Sequence, residues 1–181
     1  QDLNNADTVI FIDHSILDGD LLWSAKTFLV PELANIFLFT SGSTGKPEMI
    51  PKRLRALEME IYTLEKTFSN FVKNSPALST VSHQHIYGLL IRMLWPIATN
   101  RLIIDGLLRF PQEVSNHLKK YPHACLISSP AFLKRAGHIV EYPKNSKIKT
   151  TVFSSGGPLD STSSLKIQMQ GKISVIEIFG S

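Results

Sequence analysis

The sequence predicts an α/β fold, a largely parallel sheet covered by helices. Three observations carry this. From Ala77 to Ile178, short apolar runs of strand length alternate with segments patterned for helix, the order expected of crossover units. Before them, Leu54, Leu57, Ile61, Leu64, Phe68 and Phe71 recur at spacings of three and four, a single apolar stripe on one long helix. Finally, runs of Gly, Ser and Thr follow the apolar runs. In open parallel sheets, the carboxyl ends of the strands are where ligands bind.

In chain order, Thr8 to Ile12 reads as a strand and Asp18-Gly19-Asp20 as a turn. Ala34 to Leu38 is apolar and short, which predicts a buried strand. Pro51 offers a first helical residue for the long striped helix, and Asn74-Ser75-Pro76 ends it. Strands are then expected over Ala77 to Val81, Leu102 to Ile104, Ala124 to Ser128, Lys149 to Phe153 and Ile173 to Ile178. Helices are expected over Ile86 to Pro96, Pro111 to Lys120, Pro130 to Val140 and Ser161 to Gln170. Within Pro111 to Lys120, Glu113 lies in the first turn and Lys119-Lys120 in the last, as the helix dipole favours.

The chain has 181 residues, of which 43% are hydrophobic and 19% charged, enough for one domain with a true core. A formal charge of +4 is mild. The basic residues are scattered without aromatic interleaving, which argues against a nucleic-acid face. The single cysteine, Cys125, excludes an internal disulfide and fits a reducing, cytoplasmic setting. In Ala124-Cys125-Leu126-Ile127 it is expected as a core thiol. The most apolar stretch, Leu89 to Ala98, contains Arg92 and Pro96 and falls well short of the ~20 residues a membrane span needs. Both ends read as cut: the chain starts at Gln1 without Met and stops in a tight turn after a strand. The expected organisation is a leading segment over 1–32 and a main unit over 33–181, truncated at its C-terminal end.

Phe39-Thr40-Ser41-Gly42-Ser43-Thr44-Gly45-Lys46-Pro47 is the most informative stretch. Gly lets backbone N–H groups turn toward an anion, the hydroxyls add donors, and Lys46 adds a mobile positive charge. That is the chemistry of a polyphosphate cradle, with a plain Ser/Gly surface turn as the competing reading. A P-loop requires Gly-x-x-x-x-Gly-Lys-Ser/Thr. Counting from Gly45, the first Gly falls on Thr40 and the magnesium-binding hydroxyl on Pro47. Both positions fail, so the spacing argues against a P-loop NTPase or phosphotransferase.

The string resembles instead the phosphate loop of the adenylate-forming (AMP-binding) superfamily, which includes acyl-CoA synthetases and aryl-CoA ligases. Two later segments resemble that superfamily's motifs in the same order. His85-Ile86-Tyr87-Gly88-Leu89 is similar to the segment lining the acyl pocket. His83 and His85 stand two apart with no Cys or carboxylate partner nearby, so a zinc reading is set aside and no metal ligand is assigned. Ser154-Ser155-Gly156-Gly157-Pro158-Leu159 resembles the Ser-Gly-Gly/Ala-x-Pro-Leu segment, compressed by one residue. Glu177-Ile178-Phe179-Gly180-Ser181 resembles the start of Tyr-Gly-Ser/Met-Thr-Glu, with the Thr and Glu beyond the end of the chain.

The resemblance implies the N-terminal domain of an enzyme that activates a carboxylic acid with ATP as an acyl-adenylate, releasing pyrophosphate. The acyl group then passes to a thiol of coenzyme A or of a carrier protein's phosphopantetheine. It implies that Thr40, Ser41, Gly42, Ser43, Thr44, Gly45 and Lys46 hold the ATP phosphates. His85 and Tyr87 would line the acyl pocket. Ser155, Gly156, Gly157, Pro158, Glu177, Phe179, Gly180 and Ser181 would lie against adenine and AMP. Magnesium is implied with its ligands mostly outside the chain, so this piece by itself is expected to be inactive. Local similarity around Pro51 to Arg55, Ser82 to Pro96 and Ser129 to Arg135 suggests the branch associated with aryl-polyene biosynthesis, hence an aryl or acyl acid. The competing class is a non-catalytic nucleotide- or acyl-binding module.

Overall fold

A computed structural model describes residues 34–40, 48–144 and 149–179. The strand expected over Thr8 to Ile12 and the turn at Asp18-Gly19-Asp20 lie outside the described residues. The chain order is β1 (Asn35–Thr40), β2 (Glu48–Arg53), α1 (Leu54–Val72), β3 (Ala77–Ser79) and α2 (Ile86–Gly88). A π-helical segment (Leu89–Leu94) and α3 (Trp95–Ala98) continue directly from α2. Then come α4 (Pro111–Lys120), β4 (Cys125–Ser128), α5 (Pro130–Ala136), β5 (Thr150–Ser154), α6 (Ser161–Gln168) and β6 (Ile173–Glu177).

Strands β3, β4, β5 and β6 form a four-stranded sheet in that order, every pair parallel. Because side chains alternate across a strand, each strand feeds two cores. Leu78, Leu126 and Val152 face α4, α5 and α6, where they meet Val114, Leu118, Leu133 and Ile167. Ala77, Cys125, Ile127 and Phe153 face α1 and the α2–α3 run, where they meet Leu57, Leu64, Leu90 and Trp95. The result is a three-layer sandwich, as the alternation of elements predicts.

The striped helix is present as α1, with Leu57, Leu64 and Val72 fully inside and Leu54, Ile61, Phe68 and Phe71 packed at the margin. Its exit is sharp because Asn74 takes a positive φ of 58°, a conformation Asn tolerates just after a helix. Helix α4 matches its expected limits. Both backbone N–H groups before it, of Arg109 and Phe110, donate to one carboxylate oxygen of Glu113 at 2.7 and 3.1 Å. The first-turn acid thus serves as a cap as well as a dipole partner.

Several expectations are corrected. The apolar run before the Ser/Gly loop is not a buried strand of the main sheet. It is β1 of a separate antiparallel hairpin with β2, and Phe37 and Phe39 remain 43% and 58% exposed. Pro51 lies within β2, opposite Phe37, rather than opening the helix. A two-stranded ribbon consists only of edges, where the missing proline N–H is tolerated. Helix α1 begins three residues later, its Leu54 N–H donating to the Ala34 carbonyl at 2.9 Å.

The helix expected over Ile86 to Pro96 contains π-helical turns and runs on to Ala98. Leu102 to Ile104 makes a single bridge, Ile103 to Ala77, instead of a strand. Helices α5 and α6 stop at Ala136 and Gln168, short of the expected Val140 and Gln170. Beyond them Val140 is still buried, so an apolar residue outside the helix extended the pattern. Strand β3 ends at Ser79, since the Ser79 hydroxyl engages the Val81 backbone and turns the chain. No described helix is long and apolar enough to cross a membrane.

Candidate functional site

Three of the four strands of the sheet end in hydroxyls. Ser79 and Thr80 close β3, Ser128 closes β4 and Ser154 closes β5. Thr80 and Ser128 are paired hydroxyl to hydroxyl at 2.8 Å. Ser154 is 1% exposed and its Oγ has no hydrogen-bond partner among the described residues. A buried hydroxyl left unpaired costs about 1–3 kcal/mol relative to a satisfied one, so such an atom at a strand's carboxyl end marks a place for a ligand or water.

Two of the sequence-predicted segments converge on this edge. After β5, Ser155, Gly156, Gly157 and Pro158 form a loop in which the glycines take φ values of 91° and 147°. An added Cβ would meet nothing within 4 Å at either glycine. Their requirement is therefore backbone conformation, and they leave an open main-chain surface against which a flat group could lie. Glu177, at the end of β6, accepts the Leu159 N–H on one carboxylate oxygen at 2.8 Å. This ties the glycine loop to the neighbouring strand, a task the sequence reading did not assign to it. Phe179, just beyond, is 70% exposed. Below the loop, Asp160 caps α6 by accepting the Ser163 N–H at 2.8 Å, and Lys134 approaches it at 3.9 Å.

The second segment follows β3. His85 sits in extended conformation at the start of α2, exposed, its carbonyl accepting the Leu89 N–H at 2.8 Å. Tyr87 turns inward against the core that holds Cys125, Ile127 and Phe153. Burial raises its phenol well above the ordinary range, the Cys125 thiol adding to this and the Ser128 backbone offsetting part. Its hydroxyl lies by that backbone without closing a well-formed hydrogen bond. At neutral pH it is a neutral donor beside the hydroxyl-lined edge.

Gly88 permits this arrangement, because a Cβ there would overlap the Ser82 carbonyl. The turn after β3 thus lies directly on the helix. Cys125 is wholly buried and desolvation pushes its thiol up to about 12, with the Arg101 charge opposing. It is a core residue, as its surroundings in the sequence suggested.

The phosphate-type loop is placed less directly. Thr40 is the last residue of β1 and pairs with Glu48, the first residue of β2. Ser41, Gly42, Ser43, Thr44, Gly45 and Lys46 lie outside the described residues, as do Gly180 and Ser181. Among the described residues no three His, Cys, Asp or Glu side chains group as a metal site. Sequence reasoning missed the hydroxyl row and the Glu177 clamp. The first was visible as paired hydroxyls, Ser79-Thr80, Ser128-Ser129 and Ser154-Ser155, after three apolar runs. No local pattern signalled the clamp, because its two ends are 18 residues apart.

No known protein-family model matches the chain. Solved structures do. ATP-bound MatB from Rhodopseudomonas palustris is 16% identical over 80% of this chain and 28% of its own, with a TM-score of 0.63. O-succinylbenzoate coenzyme A synthetase (MenE) from Bacillus subtilis, in complex with AMP, is 15% identical over 80% of this chain and 29% of its own, with a TM-score of 0.63. The fold is that of the acyl-CoA synthetases. VinN in complex with L-aspartate is 13% identical over 87% of this chain and 40% of its own, at a TM-score of 0.69. The chain thus spans between 28% and 40% of the length of these structures. The likeness extends to the α/β architecture of the N-terminal domain of adenylate-forming enzymes, the domain that the motif order had suggested.

Proposed function

We propose that this chain forms part of an ATP-dependent acid–thiol ligase. It would activate an aryl or acyl carboxylic acid as an acyl-adenylate and transfer it to coenzyme A or to a carrier-protein thiol. The observation that carries the reading is a convergence. The glycine loop over Ser155 to Pro158 and the turn from β3 into His85 and Tyr87 reach the same carboxyl edge of a parallel sheet. That sheet's fold is shared with proteins bound to ATP or AMP.

A carboxylate has no good leaving group, and attack of its oxygen on the α-phosphate of ATP supplies one. Such a step asks the protein mainly for positioning and for stabilisation of the departing charge. In this reading Thr40, Ser41, Ser43, Thr44 and Lys46, with the backbone of Gly42 and Gly45, take the β- and γ-phosphates. Ser155, Gly156, Gly157 and Pro158 lie along adenine, with Phe179, Gly180 and Ser181 following, and Glu177 holds the loop in place. His85 and Tyr87 face the acid. Magnesium would accompany the nucleotide.

The test is acid-dependent exchange of pyrophosphate into ATP by the full-length protein, with a panel of aryl and fatty acids. Exchange with at least one acid is expected. Removing one preorganised charge-stabilising donor costs about 2.7–4 kcal/mol of barrier, so Lys46→Ala should slow exchange by about two to three orders of magnitude. Exchange with no acid, alongside retained ATP binding, would replace the ligase with a non-catalytic binding module. Wild-type turnover and ATP requirement in Lys46→Ala would remove the phosphate role from the loop.

A further inference from the structure

The edge of the sheet opposite the candidate site carries a groove of its own. Each of β4, β5 and β6 is preceded by a helix, so α4, α5 and α6 all end at the amino edge. Around those ends lies a space of about 1060 Å³, open to solvent. Small-molecule sites hold about 300–1,000 Å³ and enclose most of their ligand. A space at the top of that range and open on its outer side suits a peptide segment better.

The groove is preformed. Gln170 Nε2 donates to the Gly137 carbonyl at 3.1 Å, tying the end of α6 to the end of α5. Gly171 lies so close to Pro143 that an added Cβ would stand 2.7 Å from the Pro143 carbonyl oxygen. The Glu141 N–H donates to the Ser115 hydroxyl at 2.9 Å, and that hydroxyl donates to the Pro111 carbonyl at 2.8 Å. These bonds hold the segment after α5 against α4. Such a surface loses little conformational freedom when a partner settles on it.

Its lining joins apolar and basic side chains. Ile139 and Met169 are 49% and 85% exposed. Leu165, also exposed, stands four residues before Met169 on the same face of α6. A thioether on a surface adapts to varied apolar partners. Lys119, His138 and Lys144 complete the polar part of the lining together with Glu141 and Gln170.

Basic charge is concentrated in this part of the chain. From Ser115 to Ile173 the sequence holds nine Lys and Arg against two acids, Glu141 and Asp160, whereas the rest holds more acids than bases. Helix C-termini call for some of this charge, but three of them amount to only about one and a half negative charges. Both acids are engaged as well. Glu141 pairs with Lys119 at 2.8 Å, and Asp160 caps α6 at the far edge with Lys134 at 3.9 Å. An excess of positive charge remains.

We propose that this groove is a docking surface for an acidic amphipathic segment of a partner protein. The segment's apolar residues settle on Ile139 and Met169, and its carboxylates meet Lys119 and Lys144, with His138 as a further donor. A basic segment would be repelled, and a purely acidic one would leave both apolar side chains in water. The groove lies at the other end of the strands from the glycine loop, so a partner held there leaves the candidate site open. The inference does not rest on the ligase reading.

The first measurement is fluorescence anisotropy of a labelled peptide of about 16 residues, with Leu at helical spacing and Glu between, titrated with the full-length protein. One-site saturation is expected, weakened by salt and by about tenfold or more in Met169→Ser and in Lys144→Glu. Both positions are exposed, so the melting temperature should stay in place. Lys66→Glu, the same charge reversal on α1, should leave the dissociation constant within about twofold. No saturation, an equal loss in Lys66→Glu, or equal binding of the peptide with its Leu replaced by Ser would overturn the proposal.

The second measurement places a benzophenone side chain at position 139 of the full-length protein in its native cells. A cross-link to another protein is expected, mapping to an acidic amphipathic segment whose synthetic copy shows the same losses in Met169→Ser and Lys144→Glu. A cross-link within the same chain, to a second copy, to a segment without that pattern, or to no protein at all would overturn it.

Discussion

Phe153 is the residue through which the helical layer on one side of the sheet fixes the strand that delivers the glycine loop. It is fully buried on β5, one residue before Ser154. Its ring meets Phe68 of α1 edge-to-face at 5.5 Å and Trp95 of α3 edge-to-face at 5.8 Å. The informative perturbation is Phe153→Leu, which keeps an apolar side chain but removes both ring contacts. Each aromatic pair contributes about 0.5–1.5 kcal/mol beyond its buried area, so losing two costs about 1–3 kcal/mol. The change of shape in a close-packed site adds up to about 1.5 kcal/mol. A destabilisation near 2–3 kcal/mol is therefore expected, against a total of about 5–15 kcal/mol for an ordinary domain.

The assay is urea unfolding followed by far-UV circular dichroism and by tryptophan fluorescence. With a slope of about 2 kcal/mol per molar urea, the midpoint should fall by about 1 M or slightly more with the slope unchanged. A double-mutant cycle with Phe68→Leu should return a coupling of about 0.5–1.5 kcal/mol, because the two rings touch. A midpoint within the roughly 0.5 kcal/mol typical of neutral surface changes, or no coupling to Phe68, would refute the account. The sheet would then be held by area burial alone, and the aromatic triad would carry no special share.

Three further outcomes follow from the same packing. Cys125, wholly buried with its thiol pushed up to about 12, should resist a thiol reagent at pH 8 in the native protein and react with one equivalent in denaturant; fast native labelling would contradict the buried placement. Gly88→Ala should destabilise the protein by about 1–3 kcal/mol, read as a lower urea midpoint, because its Cβ would overlap the Ser82 carbonyl; an unchanged midpoint would show that the β3 turn moves away freely. The carboxyls of Glu113 and Asp160 are held below the usual range by backbone N–H groups, of Phe110 and Arg109 for the first and of Ser163 for the second. A lowered folded-state pKa stabilises above the unfolded value of about 4 and is lost as pH falls through the folded one. Amide exchange at Arg109, Phe110 and Ser163 should therefore accelerate relative to the sheet as the solution is acidified below about pH 4, and unaltered relative protection would remove the capping role.

The sequence showed the layers well because each strand is read twice. In β5, Val152 must satisfy one helical layer and Phe153 the other, so an uninterrupted apolar run flanked by polar turns had only one economical solution. What it could not show were decisions taken across distance. Pro51 reads as a helix start until the pairing of Phe37 with it is known, and only that pairing turns the residues after the Ser/Gly loop into a strand. Arg92 reads as a polar interruption in a greasy helix, and its burial is explained only by carbonyls of Val81 and Gly106 that arrive from other loops.

The same distinction separates the two halves of the candidate site. The glycine loop is legible because positive φ selects for Gly at the positions themselves, as at Gly156 and Gly157. The clamp that holds it is not, because a glutamate accepting one N–H looks in sequence like any other glutamate. Glu177 sits on β6 and Leu159 after β5, so the loop's geometry depends on the register of two neighbouring strands, in which Ser154 pairs with Glu177 itself. A slip of one residue along β6 would carry that carboxylate to the other face of the sheet and leave the Leu159 N–H without its partner. The alternation of Ile173 and Val175 toward one core and Ile176 and Ile178 toward the other fixes that register. Apolar residues that never touch a ligand thus set the position of the polar group that orders the loop.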